Sequence, residues 1–449
     1  MTNPSFTPVR FIADDGLAGA GLGARYIAWA EAHGFKGQRG RLLALPDEQG
    51  GVEAWLFGVG VAEGRSPFLA GLAAAALPEG SYGLEGEIGD ATLASIAFRL
   101  GAYRFDRYRD AKAMPTLILP EGADEAEVER QVEAAGLARD LINTPANDLG
   151  PDALDQAAHD FARRNGMDIR VTVGDDLLSA NFPMIHAVGR ASAQKPRLID
   201  MSWGDPSHPK VTLVGKGVTF DTGGLDIKSA AGMLLMKKDM GGAANVLGLA
   251  HTIASAQLPV RLRVLLPVVE NSIAGAAFRP GDVLRSRAGL TVEIGNTDAE
   301  GRLILADALA LADEEAPDLL VDMATLTGAA RVALGPDLPP VYSSDPQVAV
   351  QLAAIGSTVE DPLWPMPLWS NYDSQLNSKI ADINNAGAGG YAGSITAALF
   401  LRRFVKKAGT WLHLDIFGWA PEARPGRPVG ATDQGIRALY GLIRDRYSA

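Results

Sequence analysis

The chain has no cysteine in its 449 residues, which removes disulfides, thiolate metal sites and thiol nucleophiles together. Any bound metal must then rest on oxygen and nitrogen donors. Histidine is scarce as well. His33, His159, His186, His208, His251 and His413 are the only six, and none forms a His-x-x-x-His or His-Glu-x-x-His spacing, so a zincin-type centre is excluded. No stretch approaches the roughly 18 uninterrupted apolar residues of a membrane span. Residues 1–10 show no basic segment leading into an apolar run, so the expectation is a cytoplasmic protein with no membrane partner. Positive charge is in deficit: the formal net charge of −12 makes nucleic acid an unlikely partner, because that footprint is a basic face or stripe.

What remains is an ordinary globular composition, with 47% hydrophobic and 21% charged residues, over a length that allows two or three domains. From Val9 to Leu119 short apolar runs such as Trp55-Leu56-Phe57 alternate with alanine-rich helical patches such as Pro67 to Ala76, which predicts a smaller α/β domain over residues 1–122. Acidic residues then open a long helical pattern that stops at Asn143-Thr144-Pro145, giving a linker helix over 123–144. Residues 145–449 repeat strand-then-helix units, the pattern of a central, mostly parallel sheet flanked by helices. Predicted strands are Ile169–Val173, Leu198–Met201, Val211–Val214, Leu262–Leu266, Thr291–Ile294, Leu319–Met323 and Trp411–Ile416. Predicted helices are Met236–Ala256, Ala299–Glu315 and Gln434–Tyr447. Ligands in such sheets sit beyond the carboxyl ends of the strands.

The chemistry-bearing residues gather at those ends. Asn296-Thr297-Asp298-Ala299-Glu300-Gly301-Arg302-Leu303 places two carboxylates and a guanidinium in one turn between apolar runs. Gly215-Lys216-Gly217 through Asp221-Thr222-Gly223-Gly224, then Asp226-Ile227-Lys228, follow a buried strand, and Met236-Lys237-Lys238-Asp239 comes soon after. A pair of divalent ions about 3.5–4 Å apart needs carboxylates from several segments, and Asp221, Asp239, Asp298 and Glu300 can supply them. Each alone is ordinarily a cap or a turn former; it is their joint arrangement that points to metal. Burial lowers a lysine pKa, and a neutral Lys216 amine is a competent ligand, although a strand-end lysine also snorkels to water. Gly215-Lys216 is not a phosphate loop, because residue 217 is Gly where Ser or Thr should stand. Gly16 to Gly23 lacks dinucleotide-loop spacing. Lys228 and Arg302 would polarise a carbonyl or hold an anionic base in a hydrolase, or merely neutralise the carboxylates. His413 alternates within a strand and reads as a core histidine, and Ala324 to Ala329 reads as a pocket wall.

These motifs resemble the cytosolic leucyl aminopeptidase family of two-metal hexameric enzymes. The Asn296–Leu303 signature carries most of the likeness, with the Gly215–Gly224 and Met236–Gly242 segments; it extends from Arg139 to Ile416, and the first hundred or so residues match only loosely. The resemblance implies metal ligation by Lys216, Asp221, Asp239, Asp298 and Glu300, and a catalytic Lys228. It implies an Arg302 that holds bicarbonate as base, and a pocket for the first side chain formed by Met236, Asn296, Thr325, Leu326 and Gly328. Its further implications are two divalent ions per subunit, zinc or manganese before magnesium or cobalt, and a homohexamer acting on peptides with a free N-terminus. The reaction would be attack by a metal-activated hydroxide, with apolar residues such as leucine preferred. Two positions depart from the family: Ser229 stands where proline is frequent, and Asp226 where many members carry serine. The alternatives are a phosphoesterase, which normally adds histidines, a purely structural oligomer, and a catalytically reduced member that binds peptide or DNA.

Overall fold

The computed structural model describes residues 6–448. Contacts divide the chain into one unit that runs to Gly136 and includes Ala420–Gly430, and a second of Leu137–Trp419 with the residues from Ala431 on. The first unit is built on five strands in the order Leu42–Pro46, Val52–Gly60, Thr7–Ala13, Gly80–Gly86 and Pro115–Ile118. The first pair is antiparallel and the rest are parallel. Parallel neighbours require crossovers, and two of the connections carry the helices Ala70–Ala76 and Ala91–Ala102. Asp90 caps the second by accepting from Leu93 N at 2.8 Å, which satisfies an amide that the helix itself cannot. Phe98, Leu69 and Ala97 from these segments share one buried cluster with Val9, Phe57 and Tyr82 of the sheet.

The second unit holds a mixed, mostly parallel sheet. Its order is Trp364–Pro365, Pro340–Ser343, Thr410–Asp415, Leu319–Ala324, Lys210–Gly215, Arg261–Asn271, Arg197–Trp203, Asp168–Val173, with Gly217–Asp221 also beside Arg261–Asn271. The centre is parallel, and antiparallel pairs flank it. All six residues of Leu319–Ala324 and of Thr410–Asp415 are buried, so both faces of these strands are covered. Ala- and Leu-rich helices Gly241–Ser255 and Glu300–Glu314, buried around most of their circumference, pack against the central strands. Truncating Leu320 to Ala here would cost about 2–5 kcal/mol. The two α/β parts expected from the sequence are present. Among the described residues no helix is long and apolar enough to cross a membrane.

Three elements differ from expectation. Thr291–Glu293 leaves the main sheet for a three-stranded one with Val283–Arg285 and Ile383–Asn384; Asp382 Oδ2 clamps it there by accepting from Thr291 N at 2.8 Å and Oγ1 at 2.7 Å. So short an apolar run carries no signal of which sheet it joins. The helix expected from Met236 begins as a 3₁₀ turn, Met236–Met240, and turns α-helical only at Gly241. There Ala243 N donates to Lys216 O at 2.9 Å, so the end of a strand supplies the acceptor for the first helical amides. Gly217–Asp221, expected as loop, is a strand parallel to Arg261–Asn271, with a register shift between Val269 and Asn271. Asp221 is thus the last residue of a sheet strand and not part of a free loop.

Candidate metal centre and its cavity

Lys216 directly follows the strand Lys210–Gly215, and Thr325 directly follows Leu319–Ala324. Their positions at the carboxyl edge of the sheet are where a ligand site belongs. Helix Glu300–Glu314 brings Glu300 and Arg302 to the same edge, and the carboxylate of Glu300 lies in the first turn, where the helix dipole favours a negative charge. Gly301 is required by a close approach: a Cβ there would fall 2.6 Å from Lys216 Cε. Its absence leaves the channel through which the lysine reaches the carboxylates.

Lys216 Nζ lies 2.8 Å from Asp239 Oδ2 and 3.1 Å from Glu300 Oε1, and donates to Thr325 O at 2.9 Å. Lys228 Nζ sits 2.8 Å from Asp221 Oδ2 and contacts Asp298 Oδ1. Asp221 Oδ1 accepts from Gly223 N at 2.9 Å and from Asn271 Nδ2 at 2.8 Å. Gly223, at φ +87°, adopts the left-handed region that glycine enters without strain. Thr325 Oγ1 donates to Asp239 Oδ1 at 2.9 Å. Asp221, Asp298 and Glu300 each offer an oxygen within 4.8 Å of the other two. Lys216, Asp221, Lys228, Met236, Asp239, Asn296, Asp298, Glu300, Arg302, Thr325, Leu326 and Gly328 all line one cavity of about 330 Å³. None of the site residues expected from the sequence falls outside it.

Burial and close neighbours shift the charges in this cavity. Burial, then Asp221, with Asp239 and Asp298 adding to it against Lys216, pushes the Glu300 carboxyl up to about 8. Burial and Asp221 raise Asp298 as well. Burial also opposes ionisation of Asp239, yet Lys216 and Lys238 hold it below the ordinary range. Glu300 Oε2 is buried with no hydrogen-bond partner among the described residues. For Lys216 the expected neutral amine is corrected: burial does act against its charge, but Asp239, Glu300 and Asp221 outweigh it and hold the pKa above the ordinary value. Lys228 behaves likewise beside Asp221 and Asp298. Burial brings Arg302 down to about 10 and Lys238 to about 8.

Hard oxygen donors converging from three chain segments, with an orphaned carboxylate oxygen among them, suit divalent cations. Arg302 suits an anion: its Nη1 donates to Asn385 O at 2.7 Å, while its buried Nε has no partner among the described residues.

Asn385 and Asp415 escaped the sequence reading, and Asp226 was named there without the supporting role it takes here. Asn385 Oδ1 accepts from Gly295 N at 2.8 Å and its Nδ2 donates to Asn296 O at 2.8 Å, which pins the signature turn. Asp226 Oδ2 accepts from Thr297 N at 2.7 Å, and Asp226 N donates to Thr297 Oγ1 at 2.9 Å. Asp415 Oδ1 accepts from Leu326 N and Thr327 N, both at 3.0 Å. Asn384-Asn385-Ala386-Gly387 reads in sequence only as a turn. Asp415 is hidden in the apolar pattern of its strand. His413 is fully buried, with Nδ1 2.6 Å from Asp322 Oδ1, inside the sheet and outside this cavity.

The chain matches the family described as "Cytosol aminopeptidase family, catalytic domain" over residues 136–440, and "M17 aminopeptidase, N-terminal domain" over 8–120. A probable cytosol aminopeptidase of a Geobacter species is 43% identical over 368 residues, 78% of this chain and 74% of that one. Another, from Leifsonia xyli, is 39% identical over 472 residues, 96% and 93% of the two chains. The crystal structure of cytosol aminopeptidase from Coxiella burnetii superposes with a TM-score of 0.94 at 44% identity, covering 100% of this chain and 98% of that one. The bottromycin maturation enzyme BotP in complex with Mn gives 0.89 at 33% identity, covering 99% and 100%.

Proposed function

Because the chain belongs to the cytosol aminopeptidase family and is a hydrolase of that type, we propose that it is a metal-dependent aminopeptidase that removes the N-terminal residue from peptides. The convergence of carboxylate oxygens from Asp221, Asp298 and Glu300 carries this reading, above all Glu300 Oε2 without a partner. Lys216, Asp221, Asp239, Asp298 and Glu300 would hold two divalent ions. Manganese or zinc is the first choice, in keeping with the manganese of the BotP complex. Bound there, the ions would supply Lewis acidity toward the scissile carbonyl and lower the pKa of water.

The other residues do the positioning. Lys228, held between Asp221 and Asp298, points a permanent positive charge into the cavity, where it would stabilise the oxyanion that develops on the peptide carbonyl; removal of one such donor costs roughly 10²–10³ in rate. Arg302, oriented by Asn385 O, would hold bicarbonate as the general base through its free Nε. The first side chain would lie against Met236 and Leu326, beside Asn296, Thr325 and Gly328, with leucine-like residues accepted through the apolar contact. Lys216 must lose its proton to take a metal, so metal affinity would rise with pH. A cytoplasmic homohexamer completes the proposal.

The test is release of leucine from a leucyl chromogenic amide by metal-stripped protein, before and after manganese or zinc, with Glu300→Ala alongside. Activity restored by metal in the wild type and missing in the variant is the expected result. Silence of the folded wild type in both metals would overturn the reading.

A further inference from the structure

The wall of the cavity carries two cations, Arg331 and Lys238, to which its carboxylates make no hydrogen bond. Arg331, on the helix Gly328–Leu334, lines the cavity. Its guanidinium forms no hydrogen bond or ion pair among the described residues and lies with Cζ 4.4 Å from the centre of the Phe417 ring. Nη2 folds back over the backbone of Gly328, 3.5 Å from where a Cβ would stand. Lys238 approaches the same ring, Nζ 5.1 Å from its centre. The carboxylate oxygen that Lys238 faces, Asp239 Oδ1, is 3.8 Å away, and that atom already accepts from Thr325 Oγ1. The neighbouring Lys237, by contrast, is engaged: it donates to Asn143 O at 2.6 Å.

Two like charges gathered on one ring repel each other, and the fold gives neither an anion at hydrogen-bond distance. The platform is rigid, because Phe417 N and Gly418 N both donate to Gln434 Oε1 at 2.9 Å. Cation–π contact and desolvation prepare such groups to receive a carboxylate, the partner that a planar guanidinium matches best. Met236 and Leu326 line the same cavity and offer an apolar surface for a short aliphatic stem.

We propose that Arg331 and Lys238, mounted on Phe417, form a carboxylate-binding end of the pocket for the first side chain, so that this chain accepts an N-terminal glutamyl residue alongside leucyl ones. The proposal rests on the aminopeptidase reading for what enters the pocket, and it adds a substrate class to that reading. The glutamyl methylenes would lie along Met236 and Leu326, and the carboxylate would reach the two cations.

The test compares kcat/KM for glutamyl and leucyl chromogenic amides, and calorimetric affinities for L-glutamate and L-norleucine, in manganese-loaded wild type, Arg331→Met, Lys238→Met and Arg331→Lys. A lost charge-assisted contact should lower the glutamyl-to-leucyl ratio about tenfold or more in Arg331→Met. The amino-acid affinity ratio should fall with it, and Arg331→Lys should restore part of both. Ratios unmoved in both methionine variants would overturn the proposal. So would a response confined to leucyl-glutamate, since the carboxylate would then lie beyond the scissile bond. If no variant or wild type cleaves any amide, the aminopeptidase reading fails, while the binding ratio still decides whether the carboxylate site exists.

Discussion

Around Asp433 buried charge is balanced: Arg139 Nε and Arg437 Nη1 donate to its two oxygens, each at 2.9 Å. Arg437 Nε donates to Val359 O at 3.1 Å, and Asp361 accepts from Gly435 N and Arg437 N at the start of helix Ile436–Tyr447. Around Glu300 the same unit of the chain gathers four carboxylates, buried Asp221, Asp239 and Glu300 and half-buried Asp298, and sets three ammonium groups, Lys216, Lys228 and Lys238, within ion-pair distance. One cluster meets its own needs in folding. The other is left with crowded carboxylates, one of them pushed up to about 8, and an unpartnered oxygen, a state that a divalent ion would relieve. Burial alone therefore does not mark a site; crowded carboxylates and an unpartnered oxygen within burial do.

Truncation should separate the two clusters most sharply. Glu300→Ala should lower kcat on a leucyl amide with manganese by on the order of 10³-fold or more, as expected when a metal ligand is lost and not merely one oxyanion donor, while the metal-stripped protein stays folded. Asp433→Ala should do the reverse. It removes the carboxylate that two buried guanidinium groups share and should cost about 3–5 kcal/mol of stability, read as a lower midpoint in denaturant, with activity per folded molecule largely kept. Equal loss of stability in both variants would erase the distinction.

The pH dependence of stability sharpens the comparison further. Glu300 titrates near 8 in the folded chain against an ordinary 4.5, so between these values the folded state keeps a proton that the unfolded state has released. Stability without divalent ions should then fall as pH rises through this window, by on the order of a few kcal/mol. Asp307, pushed up to about 7 by burial, adds a slope of the same sign. Hence the informative quantity is the difference between wild type and Glu300→Gln. The variant should show a shallower decline in thermal midpoint between pH 5 and 8, and saturating manganese should flatten the wild type by replacing the proton. Parallel wild-type and variant profiles would place the raised carboxyl elsewhere.

Sequence and structure agree on which residues gather in one cavity. The carboxylates, Lys216, Lys228 and Arg302 were legible because no ordinary turn collects such groups, and the strand ends that carry them were legible from short β-branched runs such as Val211–Val214. What stayed hidden depends on residues distant in sequence. Asn385 reaches back to Gly295 and Asn296, and Asp415 holds Leu326 and Thr327 from a neighbouring strand; neither spacing repeats along the chain. Arg331 was illegible for a different reason. An arginine on a short helix is ordinarily a solvated charge, and only the packing of Phe417 turns it into the cavity.

Asp226 offers the smallest and most local test. Its carboxylate accepts from Thr297 N, and its own amide donates to Thr297 Oγ1, which in turn donates to Gly223 O at 2.7 Å. The aspartate thus ties the segment just after Asp221 to the turn carrying Asp298. A serine at this position would be too short to span the same distance without moving one of the two segments. Asp226→Ala should therefore leave the fold intact and weaken metal binding about 10- to 100-fold, as loss of a group that orients ligands does. Activity should return at high manganese with kcat close to wild type. A variant whose kcat stays low at saturating metal would mean that Asp226 acts on the reacting groups and not on the spacing of the two loops.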